Sequence, residues 1–99
     1  MTDLLYTFHC ACADSEAVCA ALRDVTGVPI HRHDEDVLGR DFGDAGAAEQ
    51  VTGALRRTAV SLLADADAGD TLVAAVAAAR RRSPVRWVVV PVIRSGRIA

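Results

Sequence analysis

The chain has 99 residues, 52% hydrophobic and 24% charged, a balance that suits a single small globular domain over residues 1–99 and argues against disorder. The formal net charge is −2, with eleven arginines and no lysine, which argues against a general nucleic-acid binder with its basic surplus. Three cysteines crowd into ten residues, the N-terminal MTDLLYTFHC lacks a signal-type pattern, and no apolar run reaches membrane-spanning length. A cytoplasmic protein without membrane insertion is expected.

Residues 3–11 alternate as a strand, with Leu4, Tyr6, Phe8 and Cys10 on one face and Leu5, Thr7 and His9 on the other. Asp14 is an N-cap candidate and Glu16 suits the first turn of a helix. Val18, Ala21, Leu22 and Val25 recur at helical spacing and Gly27 suits a C-cap, which predicts a helix over 14–26. Residues 28–33, VPIHRH, read as a second strand with His31 and His33 on one face. The acidic, glycine-bearing stretch 34–48 lacks periodicity and reads as a long mobile loop, a kind of segment that is often functional.

Residues 49–64 read as a third strand, with Gly53 marking a bulge or a close approach, although its alanines would also let it propagate a helix. Asp70 would cap a second helix over 71–82, with Leu72, Val73 and Val76 as its apolar stripe and Ser83-Pro84 as its stop. RWVVVPVI, 86–93, is the fourth strand. The order β-α-β-β-α-β predicts an α+β, ferredoxin-like fold with an antiparallel sheet ordered 4-1-3-2. Proline cannot donate to a sheet ladder and is confined to edges. Pro29 and Pro91 fall in the two strands that this order places at the edges. The fourth strand is apolar on both faces: Val88, Val90 and Val92 on one, Trp87, Val89 and Ile93 on the other. The helices cover only one face, so burial of the other against a second subunit, hence an oligomer, is expected.

This topology gathers the chemistry-bearing residues at one end of the sheet. His31-x-His33, followed by Asp34, Glu35 and Asp36, is a set of metal-ligand types; the same pattern also suits a solvated edge strand. His9 lies roughly 10 Å from His33, two strand spacings away, and is expected to stay apart from it. Cys10 and Cys12 share the core face and Cys19 lies beside Val18 and Leu22, so all three read as buried apolar residues. Arg56 and Arg57 on the third strand, with Arg80, Arg81, Arg82 and Arg86 before the fourth, are candidate phosphate ligands. Arginines at a helix end also suit the helix dipole alone. No nucleophile–base pair, P-loop or dinucleotide fingerprint can be placed, and no catalytic residue is expected.

EQVTGALRRTAV, 49–60, followed by VRWVVVPVIRSGRI, 85–98, resembles PII-like proteins encoded beside heavy-metal efflux pumps. The matching positions are Glu49, Gln50, Val51, Gly53, Arg56, Arg57, Trp87, Val88, Pro91, Val92, Gly96 and Ile98. CutA-type proteins are similar trimers associated with metal tolerance. The resemblance implies a ferredoxin-like homotrimer without catalytic activity. It also implies a small anionic ligand between subunits, an adenine nucleotide among the candidates, and a loop after strand 2 that contacts a partner such as a membrane transporter. Signal-transducing PII proteins carry Lys and a Gly-rich turn before strand 4, where this chain has SPVR and no Lys. The alternative expectation is a metal-binding or metal-sensing protein that holds a divalent transition metal through His31 and His33.

Overall fold

The computed structural model describes residues 3–38 and 54–99. Strand β1 runs Leu4–Cys10, helix α1 Ser15–Val25, β2 His31–Leu38, β3 Ala54–Ala64, helix α2 Gly69–Ala79 and β4 Arg86–Pro91. Short 3₁₀ turns, Cys12–Asp14 and Ala66–Ala68, lead into the two helices. The sheet order is β2-β3-β1-β4, with every neighbouring pair antiparallel. This is the expected ferredoxin-like α+β arrangement.

Alternation in β1 decides the core. Tyr6, Phe8 and Cys10 face the helices and are buried; they pack with Val60 and Leu62 of β3, Val18 and Leu22 of α1, and Leu72 and Val76 of α2. Burying a large apolar side chain contributes about 1.5–3 kcal/mol, so this cluster supplies most of the drive for folding. Tyr6 keeps its hydroxyl satisfied by donating to the Asp65 carbonyl at 2.9 Å. A Cβ on Gly69 would come within 3.3 Å of that hydroxyl, a close approach that favours glycine there.

Asp14 occupies the N-cap position of α1 but makes no capping hydrogen bond to its own helix. Its buried carboxylate instead accepts the Arg81 backbone N–H at 3.4 Å and lies 3.8 Å from Arg81 Nε. The start of α1 is thereby tied to the segment that leaves α2. Helix α2 spans Gly69–Ala79, so Asp70 lies within its first turn and Arg80–Arg82 fall beyond its end. The Arg80 N–H still reaches the Val76 carbonyl at 3.0 Å while its own backbone is extended.

The second strand corrects the expectation of 28–33 followed by a loop from 34. Val28 and Ile30 are partly buried lead-in residues, and Pro29 precedes the strand. β2 carries on through the acidic run to Leu38. The reason is cross-strand charge: Glu35 pairs with Arg57 and Asp36 with Arg56. Opposite charges facing one another on neighbouring strands are stabilising. β1 stops at Cys10, opposite Thr58, whereas β2 and β3 continue together for four more pairs. They form a two-stranded arm about 13 Å long at 3.4 Å per residue. The rest of the expected loop, 39–48, and the start of the expected third strand, 49–53 with Gly53, lie outside the described residues. β4 ends at Pro91, two residues earlier than expected.

Two outcomes follow. Asp14→Ala lowers stability by about 1–3 kcal/mol, because the Arg81 amide loses its buried acceptor. Arg81→Ala, which removes only an exposed guanidinium, costs less than about 1 kcal/mol; urea unfolding measures both. Replacing Asp34 and Asp36 together by Arg puts like charge against Arg56 and speeds amide hydrogen exchange over residues 35–38. Exchange in β1 stays slow; an equal rise there would mean that the arm and the sheet open as one unit.

Candidate functional site

Two features lie back to back at the end of the sheet where β1 finishes. On the helix-covered face, Trp87 of β4 stands opposite Phe8 of β1. Because β4 is an edge strand, the indole keeps 52% of its surface exposed. Phe8, Val73, Val76, Pro84 and Val85 form an apolar wall and floor beside it, and Arg80 closes one side of a cleft of about 280 Å³. Arg80 Nη1 donates to the Arg82 carbonyl at 3.4 Å, which braces the guanidinium at the mouth. An aromatic ring, an apolar floor and one cation are suited to a planar ligand that carries negative charge.

The six arginines named from sequence do not form one cluster. Arg80 lines the cleft. Arg81 is engaged by Asp14. Arg82 is exposed in the turn that follows α2. Arg56 Nη1 bonds Asp36 at 3.0 Å and its Nη2 lies 4.0 Å from Asp34; the adjacent carboxylates raise its pKa further. Arg57 is buried on the opposite face, with Nη1 donating to the Arg56 carbonyl at 2.8 Å. Arg86 also lies on that face, opposite His9.

The open face carries the second feature. His9 of β1 and His33 of β2 both stand opposite Ala59 of β3, so the three form one row across the sheet. Two strand spacings still separate the histidines, as expected from sequence. Glu35 bridges them: His9 Nδ1–H donates to Glu35 Oε1, and Glu35 Oε2 lies 4.0 Å from His33 Nε2. Ala59, with only a methyl group between them, lies buried beneath this bridge. In the neighbouring row His31 stands opposite Ser61, whose hydroxyl bonds that of Thr7 at 3.2 Å. Asp34 and Asp36 sit on the helix side of β2. Thr58 Oγ1 donates to Asp34 at 2.7 Å and Arg56 to Asp36. The structure therefore does not bring His31 and His33 onto one face with Asp34 and Asp36. Among the described residues, no group of three or more His, Cys, Asp or Glu side chains is already gathered where an ion would sit.

The model of a protein family of unknown function, DUF3240, matches residues 9–99. The chain belongs to this DUF3240 family. A DUF3240 family protein from Shewanella baltica shares the fold at a TM-score of 0.79 and 13% identity, over 100% of this chain and 99% of that one. The PII protein of Arabidopsis thaliana, solved bound to citrate, is similar at a TM-score of 0.69 and 10% identity, over 92% of this chain and 78% of that one. A functionally unknown protein from Pediococcus pentosaceus gives 0.66 and 12%, over 98% and 97%. None of the curated proteins matches. These likenesses agree with the expected PII-like fold, and the DUF3240 match covers nearly the whole chain.

The cysteines of this DUF3240 chain differ among themselves. Cys10 is buried and donates to the Thr58 carbonyl at 3.6 Å. Burial, and then the Asp14 carboxylate, push its thiol up to about 11. Cys12 was expected on the core face, but it is exposed. The strand alternation that would bury it stops at Cys10, and the 3₁₀ turn begins at Cys12 itself. Cys19 is half-buried on α1. Sequence reasoning named Glu35 beside the histidines but missed its bond to His9, and it missed the use that Asp14 is put to. Two more residues of strand alternation place Glu35 on the face of His31 and His33.

At pH 8 about one Cys10 thiol in a thousand is ionised, and the thiolate is the reactive form. Iodoacetamide therefore labels Cys12 in the native protein and reaches Cys10 only after unfolding, as read by peptide mass spectrometry. The folded-state value lies above the ordinary 9.0. The stability contributed by the neutral buried thiol is therefore complete below pH 9 and is lost as pH rises through about 11.

Proposed function

We propose that this protein is a non-catalytic, PII-like regulatory protein of the cytoplasm that binds a small anionic ligand, an adenine nucleotide, at the Trp87–Arg80 cleft. The observation that carries this reading is the pairing of a half-exposed indole and a braced guanidinium over an apolar floor. Ligand pockets usually measure about 300–1,000 Å³. A cleft of about 280 Å³ suits one aromatic base, with phosphates projecting past Arg80. The citrate on the Arabidopsis PII protein, a small polyanion on the same fold, supports the anionic character of the ligand.

A homotrimer fits the unpartnered side of the sheet. Val88 and Val90 remain 47% and 42% exposed there, beside the partly exposed Leu63. Packing these faces together in a symmetric assembly would bury them. The β2–β3 arm projects from the same end and would carry the segment between its strands to a protein partner, for which a membrane transporter is the proposed kind. No helix among the described residues is long and apolar enough to cross a membrane, so contact with such a partner would be by docking.

The chain holds a single tryptophan, so Trp87 reports directly on the cleft. Titration with ATP, ADP, AMP and cyclic nucleotides should quench its fluorescence and release calorimetric heat. Arg80→Ala should weaken binding about tenfold, the usual scale for one charge-assisted contact. Absence of both heat and quenching for every nucleotide would overturn the ligand, and a monomeric mass by light scattering at micromolar concentration would overturn the trimer.

A further inference from the structure

The buried Asp14 carboxylate does not line the Trp87 cleft, but it holds the chain beside it. We infer that Asp14 is a positioning residue for that cleft: it fixes the Arg80–Arg82 run so that Arg80, and not Arg81 or Arg82, supplies the cation beside Trp87. The inference rests on the cleft being an anion site; it does not depend on the anion being a nucleotide.

The freedom of the run supplies the first argument. Three arginines follow one another between the end of α2 at Ala79 and the start of β4 at Arg86. By side-chain type any of them could offer a guanidinium to an anion. Among the described residues, no backbone–backbone hydrogen bond engages Arg81, Arg82 or Ser83. The Asp14 carboxylate accepts the Arg81 N–H at 3.4 Å and is the anchor of this stretch.

Chain direction supplies the second. Arg80 leaves the helix with extended backbone, at φ −68° and ψ 150°. Successive side chains of an extended segment leave on opposite sides. Arg81 is turned toward the start of α1, where its Nε lies 3.8 Å from Asp14. Arg80 is left on the side of β4, where it lines the cleft with Phe8 and Trp87. Its Nη1 donates to the Arg82 carbonyl at 3.4 Å. That carbonyl lies two peptide units beyond the Arg81 amide, so fixing the amide also restrains the acceptor that braces Arg80.

The third argument is the use Asp14 does not have. An aspartate at an N-cap position ordinarily bonds the free N–H groups of its own helix. Asp14 makes no such bond, and its buried oxygens serve the exit of the other helix instead. A binding group is only as well placed as the shell that supports it. Here the start of α1 is part of that shell.

Trp87 is the single tryptophan, so its fluorescence tests the inference without nucleotide. Quenching by iodide, an anion, is compared with quenching by neutral acrylamide in the full chain, at an ionic strength of about 0.15 M that screens charges beyond about 8 Å. Arg80→Ala should lower the iodide-to-acrylamide ratio about 1.5- to 2-fold, the scale for one cation about 6 Å from the ring in a medium close to water. Asp14→Ala should lower it too, and the Asp14→Ala/Arg80→Ala double variant should fall no further than Arg80→Ala alone. Loss of a nearby negative charge would by itself raise the ratio, so the sign separates positioning from plain electrostatics. Asp14→Asn keeps an oxygen for the Arg81 N–H, should give a smaller fall, and carries the test if Asp14→Ala does not fold. Arg23→Ala, a charge loss on the side of α1 toward β2, should leave the ratio unchanged. A ratio that stays level or rises in the Asp14 variants, or a double variant below Arg80→Ala, would overturn the inference. A level ratio in Arg80→Ala would remove the anion site itself, and the inference with it. Failure of every nucleotide to bind would leave a positive quenching result standing.

Discussion

Two helices cover one face of a four-stranded sheet and leave the other bare, and the rest of this molecule follows from that asymmetry. Each strand must sort its residues by parity. In β1 the sorting is sharp: Tyr6, Phe8 and Cys10 are sealed under the helices, while Leu5, Thr7 and His9 face outward. The outward face is consequently mixed. Leu5, Leu63, Val88 and Val90 lie toward one end, and the His9–Glu35–His33 bridge lies toward the other. A face so divided can serve association at one end and polar chemistry at the other.

The same parity explains why two features share one end of the sheet. Phe8 and Trp87 face the helices, and their chain neighbours His9 and Arg86 face away. The cleft and the histidine bridge are thus separated only by the thickness of the sheet. β1 ends there, and β2 and β3 continue past it as an arm fastened by charge: Asp34 and Asp36 to Arg56 on one side, Glu35 opposite Arg57 on the other. Glu35 is the first residue beyond the end of β1, and its bond back to His9 ties the base of the arm to a central strand. Change at either feature therefore acts close to the arm's root.

Solved structures with 10–13% identity to this chain share its fold. A fold of this kind requires mainly pattern: apolar parity in the strands, an apolar stripe on each helix, and a β-α-β-β-α-β order. Such a fold hosts many chemistries, so function has to be argued from the particular side chains at the end of the sheet.

Sequence alone settled much of the architecture. Periodicity located both helices and, in part, all four strands, and the order of elements with Pro91 ranked the edges; Pro29 lies before β2. Those are local signals, legible because burial on one face imposes a period of two or of 3.6. Residues whose roles depend on a distant partner were not legible. The DED run looked like loop because its stabilising partners, Arg56 and Arg57, lie twenty or so residues further along. Asp14 resembled a helix cap until Arg81 arrived from the other helix. Alternation alone carries Cys12 along a strand that ends two residues earlier. His9 and His33 were rightly set two strands apart, yet only the folded sheet puts Ala59 between them, small enough for Glu35 to reach across. The sequence determined which faces are buried, because burial is written in spacing; the tertiary structure decided which charged groups meet, because that depends on register between strands far apart in the chain.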